Sequence, residues 1–411
     1  MTSPALPPML QRVVASDSCA GCGLCAGMDP AIAMRRDARG WWRPEARGTA
    51  APATNALMAK VCPGARLSPW EGVEPDRNVD TLWGPWRRVM TGYAVDPEVR
   101  HLASSGGALS ALAIHLLRTG KVDRVLHVSM DPQSPLLTAI HRSSDRADVL
   151  VAAGSRYAPA APLAEIGAEL DRGGRLLFIG KPCDAGAVRE LTRADPRAAE
   201  RIPYILSFFC AGTPSQKGTN RILERLGVEA DDVEHFRYRG DGWPGYATAT
   251  RRDGSSERIS YAASWGEILS KEVQFRCKIC ADGIGGAADV AAADAWYGGD
   301  SGYPSFDEAD GRSLMIARTK RGDDLVREAE AAGVIGTEPL ALGEIPKMQP
   351  SQAKRRQLVL SRMTAMRLAL RTPPETRGLL VAEAARTASL FDNLKSLAGT
   401  FRRIVQPRKE A

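Results

Sequence analysis

Residues 175–191 read RLLFIGKPCDAGAVREL. Leu176 to Ile179 form a short apolar run of the kind that makes a buried strand, and the Gly180-Lys181-Pro182 turn ends it. From Cys183 onward the apolar positions recur at helical spacing, so the stretch predicts a strand, a cysteine-bearing turn and a helix. Residues 201–226, RIPYILSFFCAGTPSQKGTNRILERL, repeat the pattern with Cys210 at the turn. Residues 121–130, KVDRVLHVSM, add another buried-type strand. Such units build an α/β fold, a mixed sheet with flanking helices. Cys183 and Cys210 then lie at the carboxyl ends of their strands, where ligands gather in open α/β sheets.

The chain has 411 residues, enough for two or three domains, and its 44% hydrophobic and 25% charged composition is that of a soluble globular protein. No stretch approaches the roughly 18 consecutive apolar residues of a membrane helix. Residues 1–19, MTSPALPPMLQRVVASDSC, lack an apolar signal core, which predicts a cytoplasmic protein with reduced thiols. The net charge of +7 is unevenly spread: residues 352–411 hold 13 Lys/Arg against 4 Asp/Glu, a surplus of +9, leaving −2 for the rest. Within this basic tail, residues 354–371 and 378–405 mix apolar and basic residues at helical spacing. They predict helices packed on the body or on a neighbouring subunit, with a membrane surface or an acidic partner as the other reading. No nucleic-acid-binding motif accompanies the charge, so nucleic acid is not expected as a partner.

The eight cysteines fall into two groups of four. Residues 19–25, CAGCGLC, place Cys19, Cys22 and Cys25 two residues apart, and VCPG (61–64) supplies Cys62 before a proline. Three thiolates at that step plus a remote Cys-Pro is the ferredoxin way of holding a 4Fe–4S cube, whereas zinc favours separated pairs. Gly21 and Gly23 give the loop room to wrap. The 36 residues between Cys25 and Cys62 are many more than ferredoxins place there, so residues 40–59 must fold back to the site. The second group is Cys183, Cys210, Cys277 and Cys280, the last pair within FRCKICADG (275–283). Spacing alone leaves two readings: a second four-thiolate site at the strand ends, or two core cysteines beside a zinc or redox pair.

Residues 103–120, ASSGGALSALAIHLLRTG, read as a helix that Ser104 or Ser105 caps and Gly120 ends. Gly106 and Gly107 in its first turn leave backbone amides open to a phosphate, although small residues there also serve plain packing. GSRYAP (154–159) offers Ser155 for a phosphate and Tyr157 for stacking, and FRYRGDGWPG (236–245) offers Arg237 and Arg239. Tyr157 reads equally as a core aromatic, and the arginines as surface ion pairs. Lys181 sits beside a thiol whose bound metal it would tune, and reads equally as a solvated lysine in a turn. The five histidines show no ligand or triad spacing, and no Walker loop or nucleophile elbow occurs.

Taken in order, VRHLASSGGALSALAIHLL, GSRYAP, IGKPCDAGAVREL, FFCAGTPS, FRYRGDGWPG, ASWGEILS, FRCKICADG and ADVAAADAW resemble the coenzyme F420 hydrogenase/dehydrogenase beta subunit family. The family includes 3,8-divinyl chlorophyllide 8-vinyl reductase and 7-hydroxymethyl chlorophyll a reductase. The resemblance runs from about residue 15 to about residue 320. It implies an iron–sulfur flavoprotein oxidoreductase carrying FAD, with a 4Fe–4S cluster on Cys183, Cys210, Cys277 and Cys280. It also implies an FAD diphosphate near Ser104, Ser105, Gly106 and Gly107; Ser155, Tyr157 and Arg239 are further candidate flavin contacts by residue type, with Arg239 reading equally as a contact to an acidic substrate. With the cluster of Cys19, Cys22, Cys25 and Cys62 there would be two, relaying electrons to or from FAD to reduce an organic substrate or deazaflavin, with ferredoxin as electron partner. The alternative is an electron-transfer subunit serving a larger hydrogenase or dehydrogenase. Homo-oligomerisation follows by the same analogy. Ala281 and Ala293 depart from proline and glycine in many relatives; Asp282 and Asp294 beside them are proton-donor candidates by position alone. The expected organisation is a ferredoxin-like segment over 1–85, an FAD- and cluster-binding α/β domain over 86–350, and a basic helical tail over 351–411.

Overall fold

The computed structural model describes residues 4–71, 78–298 and 305–406. The last five residues of the expected basic tail, and residues 72–77 of the expected N-terminal segment, lie outside them. Three helices open the chain: α1 (Pro8–Ala15), α2 (Leu24–Met28) and α3 (Pro52–Val61). An antiparallel hairpin, Ile32–Arg36 with Trp42–Ala46, separates α2 from α3. The long gap before Cys62 is therefore a folded hairpin and helix, and α3 delivers Cys62 at its C-cap.

The centre is an eight-stranded mixed sheet. Its strands are β1 (Arg88–Ala94), β2 (Arg124–Asp131), β3 (Ser134–Ser143), β4 (Leu176–Gly180), β5 (Tyr204–Phe208), β6 (Val290–Asp294), β7 (Ser313–Ala317) and β8 (Ile335–Pro339). They lie in the spatial order β8-β1-β7-β6-β5-β4-β2-β3. Strands β2, β4, β5 and β6 run parallel to their neighbours within that block, while both flanks are antiparallel. The inner strands are apolar on both faces, and helices cover both: α4 (Ala108–Arg118) shares a core with Val125, Leu177 and Leu206, and α5 (Pro182–Ala194) shares another with Leu176, Phe178 and Ile205. Met9, Leu10, Met58 and Val61 of the N-terminal helices join the α5 core. A small antiparallel sheet, 233–237 with 246–251 and 256–260, stands beside the strand ends.

Helix α4 begins later than its sequence suggests. Gly107, at φ +75°, is its N-cap, and no side chain caps it. Ser105 is drawn away because its hydroxyl donates to the Arg312 carbonyl at 3.0 Å. Gly120, at φ +63°, follows the helix end as expected.

Short helix α6 (Phe275–Lys278) carries Cys277, and the tail forms α7 (Pro350–Leu368) and α8 (Leu390–Val405). Helix α7 is part of the body. Arg356 is fully buried and donates to the carbonyls of Thr81, Leu82, Ala281 and Leu379. Arg355 donates to the carbonyls of Cys210 and Ala211. The basic excess of α7 is thus spent partly on backbone oxygens around the second cysteine group.

Candidate functional site

The first four thiols come together where α2, the hairpin and α3 meet. Gly21 and Gly23 hold left-handed φ values of +72° and +86°, and a Cβ on Gly23 would stand 2.7 Å from the Ala164 nitrogen. The turn can therefore press against the body while its thiols face one another. The Cys19 sulfur accepts the Gly21 amide at 3.4 Å. Burial pushes the Cys22 thiol up, and Cys62 and Cys25 add to it; Cys25 is raised by burial and by Cys19 and Cys62. Burial likewise takes Cys62 up to about 11, with Cys19 contributing. Each thiol is thus within electrostatic reach of others in its group.

The second four converge at the carboxyl ends of β4 and β5. Cys183 lies in the first turn of α5, and Cys210 follows β5. Burial raises the Cys183 thiol, with Cys210 and Cys277 among the neighbours that add to it; burial and then Cys277 take Cys210 to about 12. The Thr213 amide donates to the Cys277 sulfur at 3.3 Å. Two sets of four sulfurs fit two four-thiolate centres, and thiols that burial holds protonated, such as Cys22 and Cys183, must release their protons to take metal. Among the described residues no three His, Cys, Asp or Glu side chains meet closely enough for a single ion. Four cysteine sulfurs are the donor set of an iron–sulfur cube.

Charged groups lie between the two sets. Arg276 is only 3% exposed, and its guanidinium donates to the Pro63 carbonyl, next to Cys62, at 2.9 Å. Burial works against its charge, but Cys280, Cys183 and Cys277 more than offset that and raise it; Cys19 and Cys62 also feel this cation. Asp184, buried on α5, lies within reach of both Cys22 and Cys183. It holds the Lys181 ammonium at 2.6 Å. Burial drives Asp184 up and Lys181 opposes it.

A cavity of ≈ 310 Å³ opens beside the second set. Its lining joins Ser104, Ser105 and Gly107 at the start of α4 to Ser155, Tyr157 and Arg239, and it also includes Lys181, Asp184 and Cys210. Six of the seven residues expected to contact a flavin therefore share one wall-to-wall space. Gly106 is not in the lining: its amide donates to the Ser313 hydroxyl at 3.0 Å, and a Cβ there would meet the Gly92 carbonyl at 2.7 Å. The Ser104 and Thr213 hydroxyls and the Gln352 amide oxygen, all in this lining, are buried without a hydrogen-bond partner. Buried polar groups are seldom left so, and three in one cavity suit a polar ligand.

Arg239 has another duty. It is 2% exposed and makes a two-pronged contact with Asp294, both bonds 2.7 Å, while its Nε donates to the Pro244 carbonyl. Burial opposes its charge, and Asp294 more than restores it. Asp294 also accepts the Trp243 indole N–H at 3.0 Å. Asp294 thus accepts three hydrogen bonds. Asp282 is buried elsewhere, accepting the Gly286 amide, and burial raises it. Arg237 turns to the Leu102 carbonyl.

Tyr157 belongs to an aromatic wall whose other members, Tyr261, Trp265 and Trp296, were not singled out from the sequence. Tyr261 stacks on Trp296 at 5.6 Å, and the Arg239 guanidinium lies 4.3 Å over Tyr261. Tyr157 meets Trp265 at 4.9 Å, and a π-helical segment, Ala262–Ile268, carries Trp265. Segments of that kind are frequent at functional sites. Both tryptophans fall inside the stretches ASWGEILS and ADVAAADAW, which was the available signal. His127 also lines the cavity, bonded to the Ser143 hydroxyl at 2.8 Å, and burial pushes it down to about 3, so it is neutral.

Residues 89–166 match the family model for the N-terminal part of the coenzyme F420 hydrogenase/dehydrogenase beta subunit, and residues 173–342 that for its C terminus. The F420-dependent formate dehydrogenase 1 subunit beta of Methanococcus maripaludis is 26% identical over 64% of this chain and 65% of its own length. The chloroplastic 7-hydroxymethyl chlorophyll a reductase of Oryza sativa subsp. japonica is 24% identical over 57% of this chain and 47% of that protein. The chain thus spans under two thirds of either relative. A chain of the F420-reducing NiFe hydrogenase complex from Methanosarcina barkeri shares the fold, with a TM-score of 0.56 at 21% identity over 72% of this chain and 98% of that one. These relatives are oxidoreductases or parts of them, and among the described residues no helix is long and apolar enough to cross a membrane. The two matched segments run almost without a break through most of the sheet, and the chain belongs to the coenzyme F420 hydrogenase/dehydrogenase beta subunit family.

Proposed function

We propose that the chain is an iron–sulfur flavoprotein oxidoreductase. Cys19, Cys22, Cys25 and Cys62 would hold one 4Fe–4S cluster in a ferredoxin-like segment, and Cys183, Cys210, Cys277 and Cys280 the other. FAD would occupy the cavity, its phosphates toward Ser104, Ser105, Gly107 and Ser155 and its ring toward Tyr157, Tyr261, Trp265 and Trp296. When bound, FAD supplies the switch between hydride and single-electron chemistry, and the clusters supply single-electron steps. The observation that carries this reading is the shared wall: Lys181, Asp184 and Cys210 belong both to the cavity lining and to the surroundings of the second thiol set.

The chain's own residues do the rest. The aromatic wall excludes water and presents flat surfaces to a planar ring. Arg239, locked on Asp294, keeps a fixed positive charge against that wall. Lys181, held by Asp184, fixes another beside Cys183 and the cavity. Ser104, Thr213 and Gln352 provide hydrogen-bonding groups for a bound ligand. The substrate would be an organic molecule or a deazaflavin, and ferredoxin the electron partner, in a reducing compartment such as the cytoplasm. Within this reading residues 1–85, 86–350 and 351–411 act as cluster-bearing, flavin-bearing and buttressing units.

A second reading rests on the relatives, two of which belong to dehydrogenase or hydrogenase assemblies. There the chain would carry electrons only within a larger complex. The test is turnover by the isolated, anaerobically purified chain given reduced deazaflavin and a one-electron acceptor. Sustained turnover supports the self-contained reductase. Flavin reduction without turnover, restored by a partner subunit, supports the second. Chain that binds neither iron nor flavin would sink both.

A further inference from the structure

Helix α8 leaves an apolar face uncovered. Leu390, Phe391, Leu394, Ala398, Phe401 and Val405 are exposed, Leu390 at 76% and Phe391 at 72%. Their spacing of three and four residues puts them on one side of the helix through its whole length. One flank of that side is committed: Thr400 and Ile404 are buried, Ile404 shares a core with Met366 and Ile279, and Ser361 of α7 donates to Asn393 at 2.6 Å. No acid lies on the apolar side. The helix's one carboxylate, Asp392, sits in the first turn, 3.6 Å from Lys354. On a helical wheel Lys395 and Arg402 border the apolar arc. Behind them a cleft of ≈ 320 Å³ between α7 and α8 is lined by Lys278, Lys354, Arg362, Lys395 and Arg403 against Asp392 alone.

We infer that α8 docks the protein on an anionic phospholipid surface, its apolar arc lying among the acyl chains and its basic residues among the headgroups. Large apolar residues on one side and Lys/Arg on the other is the composition of helices that lie in a membrane interface. The charge is complementary to anionic lipid. A second copy of the chain fits less well: a 16-residue helix is about 24 Å long, and a strip about 10 Å wide offers about 240 Å², against roughly 800 Å² per partner in a stable complex. The inference does not depend on the redox reading.

The test is co-sedimentation of the iron-loaded full chain with vesicles of phosphatidylglycerol and phosphatidylcholine, against phosphatidylcholine alone. Wild type should sediment with the anionic vesicles only, and binding should weaken as salt rises through about 0.5 M. Leu394→Ser with Phe401→Ser, and separately Lys395→Glu with Arg402→Glu, should each lower binding about tenfold or more. Unchanged iron content and helical circular dichroism establish that the variants fold, and the charge-reversal pair keeps the test valid if the apolar pair does not. Wild type that ignores anionic vesicles overturns the inference, as does binding unchanged in both folded variants. Chain that ignores vesicles but dissociates from dimer to monomer in the apolar variant would assign the face to a second copy instead.

Discussion

Arg276 offers a sharp test of whether the two cysteine sets work together. Its neighbours are the sulfurs of both, and it reaches across to the Pro63 carbonyl from a position adjoining Cys277. Its Nε has no hydrogen-bond partner, and its stabilising electrostatic neighbours are thiols rather than a carboxylate. A buried cation is costly unless an anion compensates it, and metal-bound thiolates are the anions at hand. Reduction adds negative charge to a cluster, so the cation favours the reduced form. Taking the charge at about 6 Å in an effective dielectric of about 20 gives about 3 kcal/mol, or about 120 mV per electron. Other charges and partial solvation lower this, so Arg276→Gln should depress the potential of the second cluster by about 50–100 mV and that of the first by less. Arg276→Lys should restore most of the difference. Redox titration followed by electron paramagnetic resonance reads both potentials, with iron content showing that the clusters remain. Potentials that stay within about 20 mV of wild type in a fully loaded Arg276→Gln protein would mean that this cation does not set them.

Cys22→Ala and Cys277→Ala should each remove about four irons per chain, by different sets, which iron and sulfide assays can read. Asp294→Asn leaves Arg239 buried without its carboxylate; the cost is about 3–5 kcal/mol, seen as a melting temperature lower by about 10 °C together with weaker flavin retention. His127 should make the fold acid-sensitive. Its folded pKa of about 3 lies below the unfolded value near 6.5, so the unfolded chain binds more protons between these limits and stability is lost as pH falls through that window. His127→Gln should remove about 2 kcal/mol of that loss between pH 7 and pH 5, measured by urea titration at each pH.

Much of the fold was readable because its strands carry their signal locally. Leu176–Gly180 and Tyr204–Phe208 are mostly apolar runs ending in turns, so the sequence alone places their cysteines at strand ends. The thiol spacings were equally legible, since a tight C-x2-C-x2-C loop dictates its own geometry. Three features were not. Gly107 rather than a serine caps α4, because Ser105 is drawn to the Arg312 carbonyl, more than 200 positions away in the chain. Arg239 read as either an anion contact or an ion pair, and its partner Asp294 is distant in sequence and adjacent only once β6 is placed. Tyr261 and Trp265 came into the cavity through a π-helical segment that no periodicity announces. Nor did the tail's charge reveal that α7 would spend Arg355 and Arg356 on the loops of Cys210 and Cys280 while α8 kept an apolar face bare.

Iron, acid-labile sulfide and flavin counted per chain, on protein purified without oxygen, should come to about eight irons, about eight sulfides and about one FAD. Zinc in place of iron, with no flavin bound, would contradict the iron–sulfur flavoprotein reading.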